Sequence, residues 1–328
     1  MPATTRKYGR EGRLRSALIE ALLWLFLKPL ELLFGNLSQR AIGRWASCLY
    51  WIGWPFFHGM RKVARANLAI ALPERSEKER AATAAASIRH VICIALEWIH
   101  CLHRPEDHDK LLNIPAEIRQ VFADARAASP DHIVMGLTAH IGNWELFSHV
   151  EHVTGHRGAV ITASFSEPAF DKLAGRLRTT DDNTVLIPAR GAAFGLVKAV
   201  QEKLDLGMLI DQNVSVRRGG VFMPFFGLPA ATSKLAATVA GKARMPMMVF
   251  GCIRQADGNY RMEYEPLEKP SGEYGDDYEA SCAILRAYER LIRRFPEQYL
   301  WSYRRWREVP RDADEETARR FPYYARRA

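Results

Sequence analysis

The chain has 328 residues, is 48% hydrophobic and carries a formal net charge of +9. That length suits one large domain, or one domain with a small appendage, and so apolar a composition excludes a disordered chain. The cation surplus calls for an anionic partner: nucleic acid, anionic lipid head groups or a phosphorylated cofactor. Cys48, Cys93, Cys101, Cys252 and Cys282 form neither a C-x-x-C pair nor a Cys/His ligand run. Reduced thiols in a cytosolic compartment are therefore expected rather than a disulfide framework.

Arg6, Lys7, Arg10, Arg13 and Arg15 precede the most apolar stretch, residues 17–37 (ALIEALLWLFLKPLELLFGNL). About 20 apolar residues are needed to cross a bilayer. Here Glu20, Lys28 and Glu31 interrupt the run, and Pro29 is expected to kink a helix. No small-residue cleavage site follows, which argues against a removed signal peptide. Three readings remain open: a poor transmembrane anchor with its basic flank inside, a helix lying in the membrane interface, and a buried core helix. Trp45, Trp51, Trp54, Phe56 and Phe57 come next, bracketed by Arg44 and by Arg61, Lys62 and Arg65. These aromatics prefer the water–lipid boundary. Aromatics among cations also suit single-stranded nucleic acid, but that partner leaves the neighbouring near-span unexplained, so lipid is the expected partner and nucleic acid is not.

Ser76 followed by Glu79 is a capping box opening a long Ala-rich helix to about residue 103, and a second helix is expected over 115–128. Strand and helix then alternate: strand 132–138, helix 143–153, strand 185–188, helix 191–204, strand 208–210, helix 230–243, strands 247–253 and 260–267, helix 278–295. The alternation predicts an α/β fold with a mixed, mostly parallel sheet flanked by helices, behind a helical, membrane-facing N-terminal part.

The chemistry concentrates in residues 138–145, T-A-H-I-G-N-W-E, between a strand and a helix. Ligands of open α/β sheets bind at such carboxyl ends. On one continuous helix His140 and Glu145 would stand roughly 140° apart at about 100° per residue. With His140 in the turn, and Gly142 letting the backbone fold tightly, the imidazole can reach the carboxylate. Glu145 would then fix the ring tautomer, and the free nitrogen would deprotonate a hydroxyl attacking an activated acyl carbon.

His140-Ile-Gly-Asn-Trp-Glu145 resembles the H-F-G-N-W-E block of the bacterial lipid A late (lauroyl and myristoyl) acyltransferases, within the lysophospholipid acyltransferase superfamily. Further blocks agree in order: Asn67-Leu68 through Leu72-Pro73, Pro168 through Arg178, Asp211-Gln212, G-V-F-M-P-F-F-G-L-P-A-A-T over 220–232, and P-E-Q-Y-L-W over 296–301 followed by Arg304, Arg305 and Trp306. The likeness spans about residues 17–310. Ile141 departs from it by replacing the usual aromatic.

The resemblance implies an acyltransferase that needs no cofactor. Its donor would be acyl carrier protein (or acyl-CoA), its acceptor an anionic glycolipid, a Kdo-bearing lipid A precursor. Other lipid acceptors stay open: a phosphatidylinositol mannoside, a lysophospholipid or an aminolipid. It also implies the bacterial inner membrane, with the catalytic domain on the cytoplasmic side. The division expected is a basic flank (1–16), an anchor or interfacial helix (17–37), a glycerolipid-acyltransferase-like α/β domain (38–310) and a charged tail (311–328). His140 and Glu145 are the catalytic candidates; Asn143, Arg178, Arg190, Asp211 and Gln212 are candidates for binding substrate. Arginine matches phosphate bidentately, which suits Arg178 and Arg190. Residues 223–228 are apolar enough to wall an acyl channel or to be core. Arg304, Arg305 and Arg307 could meet anionic lipid or carrier protein, or form a solvated tail. Glu145, His149, His152 and His156 lie at helical spacing, but no thiolate supports a zinc site, and no metal is expected.

Overall fold

The computed structural model describes residues 10–107, 109–150, 154–162, 168–178, 183–189 and 191–328. The first nine residues of the basic flank, His152 and Arg190 lie outside them. Four helices come first: α1 (Arg10–Phe34), α2 (Gln39–Ile52), α3 (His58–Ala71) and α4 (Glu77–His103). The α1 helix runs through Pro29 rather than ending there. The capping box at the start of α4 forms as expected, Ser76 accepting from Glu79 N and Glu79 from Ser76 N. Among the described residues α4 is the one helix long and apolar enough to cross a membrane, but half of that apolar window is buried in the protein. It packs against α1, α2 and α3. Phe34, Ile42, Ala46, Cys93 and Leu96 form the apolar seam of α1, α2 and α4, while Ala64, Leu68 and Ala71 of α3 join the main core.

The α/β part contains β1 (Leu112–Asn113), α5 (Ala116–Ala128), β2 (Met135–Thr138), β3 (Gly158–Thr162), α6 (Pro168–Arg178), β4 (Thr184–Pro188), α7 (Ala192–Gln201), β5 (Asp205–Leu209), β6 (Val221–Phe225), β7 (Leu228–Thr232), α8 (Leu235–Ala243), β8 (Met247–Arg254), β9 (Tyr260–Glu265) and α9 (Asp277–Arg294). Seven strands form one sheet in the order β1-β9-β8-β2-β5-β3-β4. Every pairing is parallel except β8 with β9, so the expected mixed, mostly parallel α/β fold is borne out. Alternating side chains cover the two faces: Met135, Leu137, Met247 and Val249 join one core, Val134, Met248, Phe250 and Cys252 the other.

Some boundaries differ from the sequence reading, each for a local reason. The helix expected over 230–243 divides into strand β7 and helix α8, because 221–232 closes as a hairpin. Phe226 and Gly227, both at positive φ (50° and 69°), make its two-residue turn, the twist-matched geometry for a hairpin. Phe225 and Leu228 are fully buried in the main core, so this segment is core rather than the wall of an open channel. Strand β3 and helix α6 were not among the expected elements. Residues 311–328 fold back: β10 (Glu308–Val309) pairs in parallel with β11 (Arg326–Arg327), beyond the short α10 (Glu315–Arg319), and Tyr324 donates to Asn67 of α3.

At the end of the sheet opposite the carboxyl ends of β2 and β5, Arg126 of α5 meets Asp205 through Nε (3.1 Å) and a second nitrogen. The other carboxylate oxygen accepts from Val134 N at 2.8 Å. Both side chains are buried. Removing one partner strands the other charge, which costs about 3–5 kcal/mol. Arg126→Ala is therefore expected to lower unfolding free energy by about that amount in a denaturant titration, with no change in the catalytic pH profile.

Candidate active site

Strand β2 lies between β5 and β8. The chain leaves β2 toward β3, past β5, and leaves β5 toward β8, past β2, so the two connections run in opposite directions from adjacent carboxyl ends, the ends at which open parallel sheets bind ligands. Register does the rest. Thr138 pairs with Leu209, and two residues further on each strand brings His140 beside Asp211. His140 Nδ1 lies 2.7 Å from Asp211 Oδ1, and His140 N donates to Oδ2 at 3.1 Å. The Tyr299 hydroxyl is also bonded to this carboxylate. Asp211 is buried and His140 partly exposed.

The hydrogen bond expected between His140 and Glu145 is not formed. Arg178 takes Glu145 instead, bidentately, with Nε to Oε2 at 2.7 Å and Nη2 to Oε1 at 3.1 Å. Trp144 Nε1 donates to the same carboxylate at 3.1 Å, and the Arg178 guanidinium faces the Trp98 ring, 5.7 Å from its centroid. Asp211 thus makes the contact with the imidazole that was expected of Glu145. Asp211, next along a parallel register, holds the ring; Glu145, in the following 3₁₀ turn (Trp144–His149), holds an arginine that α6 delivers. Arg178 is therefore already occupied by a carboxylate on the edge that would grip a phosphate.

The ionisation of the pair follows from its surroundings. Burial works against charge on His140, but the Asp211 charge, its hydrogen bond and the Glu145 charge outweigh it and lift the imidazole above its ordinary value. For Asp211, burial pushes the carboxyl up. The imidazole, the two bonds from His140 and the charge of Arg305 prevail, and hold it below the usual aspartate range. The second ring nitrogen, Nε2, is 3.0 Å from Gln212 Nε2. With a proton on Nδ1 facing Asp211, Nε2 carries a lone pair that accepts from this amide. Asp211 and Gln212 thus meet the His140 ring from either side, one at each nitrogen.

The turn carrying His140 is held at nearly every polar backbone atom. Ile141 N donates to Ala139 O at 2.7 Å, Leu300 N to His140 O at 2.9 Å, Gly142 N to Gln298 O at 3.1 Å and Asn143 N to Cys252 O at 2.9 Å. His90 of α4 faces the Gly142 backbone, and burial pushes its pKa down to about 4. Gly142 is left-handed (φ +57°), and a Cβ there would stand 1.8 Å from Cys252 O. Beneath the turn, Gly136 and Gly207 face each other in register. Together they leave room for the Phe147 ring, which a Cβ on Gly207 would meet at 2.6 Å.

Asn143 is buried and turned to α4, a correction to its expected role in binding substrate. Its carbonyl caps Glu145 N (3.2 Å) while its amide donates to Glu97 at 3.0 Å. Glu97 is itself buried on α4 and also accepts from Arg254 Nε (3.1 Å) and the Tyr260 hydroxyl (2.5 Å). Sequence reasoning missed this residue; the signal was a lone acid within the apolar run 91–99. Arg305 is likewise no surface arginine. It is buried, donating to Ala231 O (2.9 Å) and Thr232 Oγ1 (2.5 Å). Among the described residues no group of three or more His, Cys, Asp or Glu side chains could hold a metal.

An imidazole held by a buried carboxylate at the carboxyl edge of a parallel sheet is an arrangement that can take a proton from a nucleophile. The model of one family, the bacterial lipid A biosynthesis acyltransferases, matches residues 13–308, and the chain belongs to that family. It is an acyltransferase, as its resemblance implied. The chain is 25% identical over 259 residues to the lipid A biosynthesis palmitoleoyltransferase of Escherichia coli (strain K12), covering 78% of this chain and 81% of that protein. It matches the lipid A biosynthesis acyltransferase of Shigella flexneri to the same extent.

Gly142→Ala is expected to cost more than about 2 kcal/mol, since the backbone strain and a forbidden contact add, and to abolish acyl transfer along with it. A denaturant melt beside an activity assay checks both; a stable, active variant would mean the turn is not as tightly held as these contacts require.

Proposed function

We infer that this acyltransferase moves a fatty acyl chain from an acyl carrier protein thioester to a hydroxyl of a lipid A precursor at the cytoplasmic face of the bacterial inner membrane. Family membership and the names of the two relatives support the acceptor; the excess of cations suits both an acidic carrier and a phosphorylated glycolipid. The observation that carries the mechanism is the Asp211–His140–Gln212 alignment.

In this reading neutral His140 is the general base. The acceptor hydroxyl takes the place of the Gln212 amide at Nε2 and gives up its proton as its oxygen attacks the thioester carbon. The resulting imidazolium is stabilised by Asp211, in the manner of a carboxylate–histidine pair. When the C–S bond breaks, the thiolate recovers that proton and leaves as free carrier thiol. No covalent enzyme intermediate is needed. The displaced Gln212 amide, still close to the reacting carbon, is a candidate donor to the developing oxyanion. Glu145 contributes differently from the simple pair: it anchors Arg178 and adds negative charge near the imidazolium.

The pH dependence has a definite sign. Catalysis requires the neutral ring, so kcat/KM rises as pH passes upward through the His140 pKa, which lies above the ordinary histidine value. Asp211→Asn removes the main source of that elevation. The acidic limb is expected to move to lower pH, while the rate on the plateau falls by roughly 10²–10⁴-fold. A pH–rate profile of the two proteins measures both shifts, and an unmoved limb would contradict the pairing.

His140→Ala is expected to remove acyl transfer by at least about 10²-fold with an unchanged melting temperature. Mass spectrometry of lipid A from cells with and without the protein tests the acceptor, a loss of one acyl chain being expected. Purified protein given acyl carrier protein and CoA thioesters separately tests the donor.

A further inference from the structure

We propose that the acidic carrier protein bringing the acyl thioester docks on a cluster of unpaired arginines, Arg217, Arg218, Arg304, Arg307 and Arg326, beside the His140 turn. This rests on the reading of a carrier-protein donor, and it adds the surface that receives the carrier.

Three separate segments build this cluster. Arg217 and Arg218 lie in the 3₁₀ turn Val216–Arg218, a few residues beyond Gln212. Arg304 and Arg307 lie just before β10, and Arg326 opens β11. The segments are fastened to one another: Val216 N donates to Glu308 Oε2 at 3.1 Å, and Arg326 N to Arg307 O at 2.9 Å. They are fastened to the site as well. Asn213 N donates to the Tyr303 hydroxyl at 3.1 Å, and Leu300 N to His140 O at 2.9 Å. Gln212, which meets His140 Nε2, is four residues before Val216, so the 3₁₀ turn begins within about 14 Å of it at full extension.

Charge pairing sets this surface apart. On α9, Arg286, Arg290 and Arg294 pair with Glu268, Glu265 and Glu263. The five arginines of the cluster are exposed, and among the described residues none of them forms an ion pair with a carboxylate. Arg304 lies instead over the Tyr324 ring, 5.8 Å from its centroid. Glu308, the acid in their midst, is half-buried and turned to the Val216 amide. Like charges gathered without counter-ions repel one another and work against the compact state, so carboxylates brought from outside relieve that repulsion. A guanidinium takes a carboxylate bidentately. An acidic protein surface offers several carboxylates at once, whereas a single phosphate would engage one or two of these arginines. Val216, 42% exposed among them, supplies an apolar contact inside a polar, arginine-rich rim, as protein interfaces do. One valine is little to insert into a bilayer.

The test is calorimetric titration of the full chain, in detergent, with unacylated holo acyl carrier protein, followed by steady-state kinetics with the acylated carrier. The double variant R217E/R218E is expected to bind the carrier about tenfold more weakly or worse at low salt. Its KM for the acylated carrier should rise to match, with kcat, KM for the acceptor and melting temperature unchanged. Added salt is expected to weaken wild-type binding and to narrow the gap between the two proteins. K78E/K242E, which reverses two exposed lysines of α4 and α8 outside this surface, is expected to bind as the wild type does. If R217E/R218E does not fold, R307Q/R326Q replaces it, with a loss in the same direction. Carrier binding equal to wild type in the arginine variant, a KM rise confined to the acceptor (which would seat a glycolipid phosphate here), or an equal loss in K78E/K242E would overturn the proposal. A wild type that neither binds the carrier nor uses its thioester would instead overturn the reading of the donor, and the proposal with it.

Discussion

The contact between His140 and Asp211 is set by the backbone before it is set by the side chains. Two buried parallel strands in fixed register end together, and the residues two places beyond a paired Thr138 and Leu209 arrive side by side. A slip in a parallel pairing would move every side chain of β5 to the wrong face, so the core that enforces register also enforces the geometry of the base. That coupling explains why so much of the molecule serves one short turn. Met135 and Leu137 point into one core, Phe147 fills the space over Gly136 and Gly207, and the backbone of residues 139–143 is bonded to β8 and to residues 298–300.

A second layer comes from α4. One face of this helix supplies His90 to Gly142, Glu97 to Asn143 and Trp98 to the Arg178 guanidinium. Residues seven and eight apart lie on one side of a helix, so a single element braces both the turn with the base and the arginine that holds Glu145. Burial pushes the Glu97 carboxyl up, and Arg254 and Tyr260 oppose that by bonding to it. Such a buried carboxylate is tolerable because each oxygen is satisfied. Arg305 plays a comparable part on the other side, a buried cation whose charge helps keep Asp211 ionised.

The fold was legible in the chain because strand and helix alternate with short apolar strands, and because Ser76 and Glu79 announce the start of α4. The place of the site was legible too, since His140 follows a strand and Gly142 permits the tight turn it makes. The partner of His140 was not legible. Spacing along one segment favoured Glu145, five residues away, whereas the true neighbour lies 71 residues on and is brought near only by strand order, which local pattern does not encode. For the same reason Asn143 read as a residue for substrate and Arg305 as one for anionic lipid, carrier protein or solvent; the burial of Asn143 against Glu97 and of Arg305 against Ala231 and Thr232 is a tertiary fact. The hairpin at 221–232 was hidden by its composition, with two prolines and an apolar turn in which Phe226 adopts a conformation that bulky residues seldom take.

A titration of the His140 imidazole by nitrogen-15 NMR examines the central interaction without relying on turnover. The account predicts a ring pKa above the ordinary histidine value in the wild type, with Nδ1 protonated in the neutral form. The pKa should drop more in Asp211→Asn than in Glu145→Gln, because the direct bond and the nearer charge come from Asp211. An ordinary pKa that Asp211→Asn leaves unmoved while Glu145→Gln lowers it would contradict the account, and would return the imidazole to Glu145.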